Sequence, residues 1–104
     1  MEEKPAKLTD EEVQKRLSKL KGWKLDKSKM TGFPAITKIF RFKDFKETLT
    51  FVNKVGDVAE NYGHHPDLML FMWNVLRIDI FSHSIQALSE WDFELAELID
   101  KIQQ

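Results

Sequence analysis

The chain has 104 residues, 42% of them hydrophobic and 32% charged, with a net charge of −1 and no cysteine. That length supports one domain with one core, and the balanced charge gives no electrostatic footprint for nucleic acid or an anionic membrane surface. Without cysteine there are no disulfides, thiolate metal sites or cysteine nucleophiles.

No apolar run reaches the ~18 residues that a membrane span needs. Met1 to Pro5 lacks the apolar core of a signal peptide. The chain therefore reads as cytoplasmic, one domain over residues 1–104, with residues 1–7 loosely ordered. The lysines between Lys15 and Lys29 are interleaved with acids and read as a solvated surface.

Thr9 caps the first predicted helix, with Glu12 at the capping-box position and Leu8 and Val13 placed as a hydrophobic staple. Val13, Leu17 and Leu20 form its apolar stripe, and Gly22 is its expected left-handed end. Trp23 to Leu25 reads as a short strand. Asp26 to Pro34 reads as a loop, and Ala35 to Phe42, β-branched and aromatic, as a second strand.

Asp44 caps the next helix. Phe45, Leu49, Val52, Val55, Ala59 and Tyr62 recur at steps of three and four, so this helix is expected to bury that stripe over about five turns. Gly56 interrupts it at a cost of ~1 kcal/mol relative to alanine, which predicts close packing against a neighbour. Gly63 is the expected C-terminal cap.

His64 and His65 follow at the carbonyl end of that helix, where partial negative charge favours an imidazolium. Pro66 bars further helix and biases His65 toward extended backbone. Leu68 to Trp73 is apolar on both faces and reads as a strand buried against another subunit or an apolar ligand. After a turn near Asn74, Leu76, Ile78 and Ile80 share one strand face, and Arg77, Asp79 and Phe81 the other. Ser89 then caps a last helix, with Asp92 at the box position and Leu88 and Phe93 as the staple. The order α-β-β-α-β-β-α, with hairpin-joined strands, predicts an α/β (α+β) two-layer sandwich. It sets a four-stranded antiparallel sheet against three helices on one face.

The three histidines are His64, His65 and His83. Hairpin topology brings the end of the second helix beside the end of the fourth strand, so a cleft of three imidazoles flanked by Glu60 and Asp92 is expected. Such a site suits general acid–base work near neutral pH: dehydration or tautomerisation, with no covalent nucleophile. Each residue also has a purely structural reading. Neighbouring histidines on extended backbone point apart, Asp92 already fits a capping box, Glu60 fits a solvated helix face, and Trp73 and Phe81 fit a core or interface. Zinc accepts three imidazoles and a water, but there is no His-x-His or HExxH spacing, so no metal is expected.

Glu60-x-x-x-His64-His65-Pro66, followed at fixed spacing by Trp73, His83 and Asp92, resembles the motif of the pterin-4a-carbinolamine dehydratases. Phe40 to Phe45 and Leu88-Ser89-x-x-Asp92 are similar to the family's strand-to-helix junction and last helix start. The resemblance runs from Leu8 to the C-terminus. It implies the two-layer fold and dehydration of 4a-hydroxytetrahydropterin to quinonoid dihydropterin. His64, His65 and His83 would be the catalytic residues, and Glu60, Pro66, Trp73, Ser82 and Asp92 the substrate-binding ones. It further implies no cofactor, a pterin as substrate and a homodimer or homotetramer. Relatives that act as a transcriptional coactivator or as assembly factors supply a non-catalytic alternative. Two positions depart from the family pattern: Ser82 replaces a usual threonine, and Ala87 a usual glycine. Alanine there requires negative φ.

Overall fold

The computed structural model describes residues 4–102, so the expectation of a loose start is in part, for residues 1–3, outside the described residues. Helix α1 (Asp10–Leu17) opens with the full Thr9/Glu12 capping box. It ends earlier than expected. After Leu17 the backbone bonds shorten to three-residue steps, Lys19 to Arg16 and Leu20 to Leu17. The chain unwinds before Gly22 turns it at φ 81°. Leu8 N–H donates to Leu88 O at 3.0 Å, which ties this end to the start of α3 (Glu90–Asp100).

Strand β1 (Lys24–Lys27) begins one residue later than expected and runs two residues further. Trp23 precedes it as a buried anchor whose indole N–H is shared by both carboxylate oxygens of Asp100, at 3.0 and 3.1 Å. Strand β2 (Pro34–Arg41) follows the loop closed by Ser28 N–H to Phe33 O. Helix α2 (Phe45–Tyr62) is capped by the Asp44 side chain, which accepts from Glu47 N–H at 2.8 Å. The hairpin of β3 (Asp67–Phe71) and β4 (Val75–Ile80) completes the sheet.

All neighbouring strands are antiparallel, in the order β1-β2-β4-β3. This is the α+β arrangement of three helices and one open four-stranded sheet. Ile36, Phe40, Leu76, Ile78 and Ile80 of the sheet join Val13 of α1, Phe51 and Val55 of α2, and Leu95 and Ile99 of α3 in one buried cluster. Burial of such side chains contributes about 1.5–3 kcal/mol each.

Two expectations for α2 are corrected. Its buried residues are Thr48, Phe51, Val55 and Ala59, while Phe45 and Leu49 are 49% and 41% exposed. Both sets obey helical spacing. The helix rotates toward Phe51 because that ring meets Phe40 and Phe42 of the β2 end, at centroid distances of 4.9 and 5.1 Å. Gly56 is the second correction: it faces open space, with nothing beyond its chain neighbours and its own helix backbone within 4 Å of where a Cβ would stand.

The sheet face opposite the cluster holds a buried polar knot that a simple polar strand face does not anticipate. Asp79 accepts from Thr37 Oγ1 and Arg77 Nε, each at 2.8 Å, and from Lys29 N–H at 3.0 Å. Arg77 Nη2 donates to Lys27 O. The knot fastens the β1–β2 loop across the sheet, and removing one partner would strand a buried charge.

Because no neighbour crowds Gly56, Gly56→Ala is expected to raise the unfolding free energy by about 1 kcal/mol through helix propensity alone. Urea denaturation checks this; a loss of stability would show that the helix packs something at that position.

Candidate active site

Gly63 ends α2 in the left-handed conformation, φ 88° and ψ 20°, with its N–H donating to Ala59 O. That turn releases His64 and His65 into the extended lead of β3. The β3–β4 register pairs Asp67 with Asp79. Continued backwards by three residues, it sets His64 opposite Ser82. Alternation turns the two side chains apart, His64 in toward α3 and His65 out to the solvent side of the α2 end.

His64 is buried, 8% exposed, and its Nε2 lies 2.6 Å from Asp92 Oδ1. The Trp91 ring meets it edge-on at 5.9 Å. Asp92 is itself fully buried. Its Oδ2 accepts from Ser89 N–H at 2.8 Å and from Ser82 Oγ at 3.0 Å. Ser82 Oγ also lies 2.7 Å from Ser89 Oγ. A hydroxyl has one hydrogen, and that of Ser82 goes to Asp92, so Ser89 donates to Ser82. The capping carboxylate of α3 is thus also the anchor of an imidazole. Charge-assisted bonds of this kind are about twice as strong as neutral ones. With Nε2 committed to Asp92, Nδ1 is the His64 nitrogen left to act.

His65 is exposed and turns back along α2, with Nε2 2.6 Å from Glu60 Oε1. Pro66 leads directly into β3. His83 is exposed on the loop after β4, its ring tilted over Phe81 at 4.2 Å. That loop is closed by the Ser82–Ala87 bridge. Its positive φ falls on Gln86, at 52°, and not on Ala87, so the alanine meets its conformational requirement.

The chain therefore gathers His64, Ser82 and Asp92 into one hydrogen-bonded unit, pairs His65 with Glu60, and hangs His83 from the residue next to Ser82. Each imidazole thus has its own partner, His64 with Asp92, His65 with Glu60 and His83 with the Phe81 ring. Trp73 is not brought to the site. It lies 62% exposed in the turn after β3, at φ 53°. At about 3.3 Å per residue the eight or nine residues of extended chain carry it more than about 25 Å from the His pair. Constant spacing along the chain placed it in the motif; the hairpin points it the other way. Among the described residues no group of three His, Asp or Glu side chains is placed to hold a metal ion.

Three participants were not identified as site residues from sequence. Ser89 was read as a cap alone, although a cap beside Asp92 must lie within reach of whatever Asp92 binds. Trp91 carries no pattern of its own. Tyr62 donates a hydrogen bond to Glu94, and burial, then the Glu94 carboxylate, push its phenol above the ordinary value.

The chain matches the model of the family described as pterin 4 alpha carbinolamine dehydratase over residues 6–102. It is 37% identical, over 93% of its own length and 99% of the relative's, to a Sulfolobus acidocaldarius protein provisionally named pterin-4-alpha-carbinolamine dehydratase. It is 40% identical to Arabidopsis thaliana pterin-4-alpha-carbinolamine dehydratase 2, mitochondrial, over 92% of this chain and 50% of that one. A crystal structure described as transcriptional coactivator/pterin dehydratase from Brucella melitensis superposes with a TM-score of 0.79 at 30% identity. It covers 91% of this chain and 96% of the other.

His64→Ala is expected to cost about 2 kcal/mol of stability, because it leaves the buried Asp92 carboxylate short of a partner. His65→Ala, at an exposed side chain, leaves the urea midpoint in place. Equal losses in the two variants would contradict the asymmetry.

Proposed function

Since the chain belongs to the pterin 4 alpha carbinolamine dehydratase family, we propose that it dehydrates 4a-hydroxytetrahydropterin to quinonoid dihydropterin. The catalytic residues in this reading are His64, His65 and His83; Glu60, Pro66, Ser82 and Asp92 shape the pocket. The observation that carries it is the His64–Asp92 bond at 2.6 Å, which fixes one imidazole in orientation and leaves its second nitrogen to act.

In the reaction the C4a–O bond breaks and the hydroxyl leaves as water after taking a proton from one imidazolium. A second, neutral imidazole removes the N5 proton, and the electrons of that N–H bond form the C4a=N5 double bond. The two imidazoles end with their protonation states exchanged, and exposed His65 and His83 return them through solvent. General acid–base assistance of this kind contributes about 10²–10⁴-fold. The family assignment supports a pterin as the substrate. The reading includes no bound cofactor or metal. A cytoplasmic location is also part of it, supported by a cysteine-free chain that suits a reducing compartment.

A homodimer or homotetramer belongs to the same reading. Phe45 and Leu49 on α2, and Phe71, Met72 and Trp73 around the hairpin tip, are large apolar side chains left exposed. Large apolar side chains left exposed in groups are the kind of surface that association covers. The same surface supports the second reading, a non-catalytic coactivator or assembly module. The coactivator form of it is favoured by the Brucella melitensis protein, whose description names a transcriptional coactivator beside a pterin dehydratase.

Purified protein is expected to accelerate loss of the carbinolamine. His64→Ala and His83→Ala are each expected to lower kcat by about tenfold or more. Unchanged rates in both variants would remove the dehydratase reading. Absence of turnover together with stoichiometric capture of a protein partner would establish the second one.

A further inference from the structure

His64 stands on a short bridge between α2 and β3, and the first residue of that bridge is a glycine. Gly63 at φ 88° is the most conformationally permissive residue available. The fully buried residues of α2, the last of them Phe51, Val55 and Ala59, end one turn before it, and in that last turn the half-buried Tyr62 ring packs against the same core cluster. Something must hold the last turn of α2 against α3 if the His64–Asp92 bond is to persist.

We propose that Tyr62 and Glu94 do this: their hydrogen bond latches the end of α2 to α3, and both act as positioning residues for His64. The inference rests on the dehydratase reading. Tyr62 precedes His64 by two residues, and Glu94 follows Asp92 by two. Both bonds therefore join the same pair of segments, one on each side of Gly63. The polar contact of His65 with Glu60 closes on α2 itself and fixes nothing relative to α3. Burial, the Glu94 carboxylate and the charges of Glu90 and Asp92 all favour the neutral phenol, so Tyr62 remains a donor through the physiological pH range. The latch lies at the half-exposed rim. Its loss is felt locally, in where the imidazole sits, more than in global stability.

Small displacements of a positioned group cost up to about 10²-fold in rate. Tyr62→Phe keeps the ring and removes only the donor. It is expected to lower kcat by about tenfold with KM unchanged, the pattern of a lost transition-state contact, and to leave the urea midpoint nearly in place. Glu94→Gln keeps an acceptor and retains most of the activity. Glu94→Ala falls to the Tyr62→Phe level, and the double variant Tyr62→Phe/Glu94→Ala falls no further, because the two groups act through one bond. Tyr62 is the only tyrosine in the chain, so ultraviolet titration reads its phenol alone. Its midpoint should drop in Glu94→Ala. An unchanged kcat in Tyr62→Phe, with His64→Ala still lowered about tenfold or more, overturns the latch and leaves the dehydratase reading standing. Full turnover in His64→Ala overturns the latch, and full turnover in His83→Ala as well overturns the dehydratase reading with it.

Discussion

The contact between His64 and Asp92 is the constraint on which the rest of the site depends. Asp92 is buried at the first turn of α3 and accepts from Ser89 N–H, Ser82 Oγ and the His64 ring. One carboxylate thus joins three elements: the cap of α3, the end of β4 and the exit from α2. Burying a carboxylate without partners is costly, and the partners here come from three separate stretches of chain. Folding and assembly of the site are the same event. The imidazole is not added to a finished scaffold, because it satisfies a carboxylate that the last helix needs in order to start.

The sheet places these parts. The β3–β4 pairing brings the residues before β3 near those after β4, and alternation turns the two adjacent histidines apart, one onto α3 and one onto the end of α2. His64 becomes a fixed, buried member, while His65 and His83 stay open to solvent. A reaction that needs one oriented proton carrier and others in exchange with water is served by that division. On the far face, Asp79, Arg77 and Thr37 make a second buried knot that holds the β1–β2 loop. Phe33 of that loop meets Phe81 edge-on at 5.9 Å, and Phe81 in turn supports the His83 ring.

Much of this was legible in the sequence because it is local. Thr9 with Glu12, Asp44 and Ser89 with Asp92 are helix caps read within three residues, and all three form. Gly63 ends α2 as its position predicts. The failures are tertiary. Helical spacing admits two stripes on α2, and the choice falls to Phe40 and Phe42, which are distant in sequence. Gly56 was read as a packing device, but α2 turns that face to solvent. Trp73 keeps its place in the motif yet sits at the hairpin tip, because a strand moves its far end away from the site. The Ser82–Ser89 bond and the Tyr62–Glu94 latch have no local pattern to announce them.

A crystal structure with a reduced pterin bound tests the account's central claim most directly. The account predicts the pterin ring between His64 and His83, with the C4a hydroxyl and N5 within hydrogen-bond reach of His64 Nδ1 and an imidazole of His65 or His83. The His64–Asp92 bond should be intact in that complex. A pterin seated elsewhere would contradict it, for example in the hollow of about 410 Å³ lined by Lys38, Phe40 and Asp100. So would a complex in which His64 has swung away from Asp92.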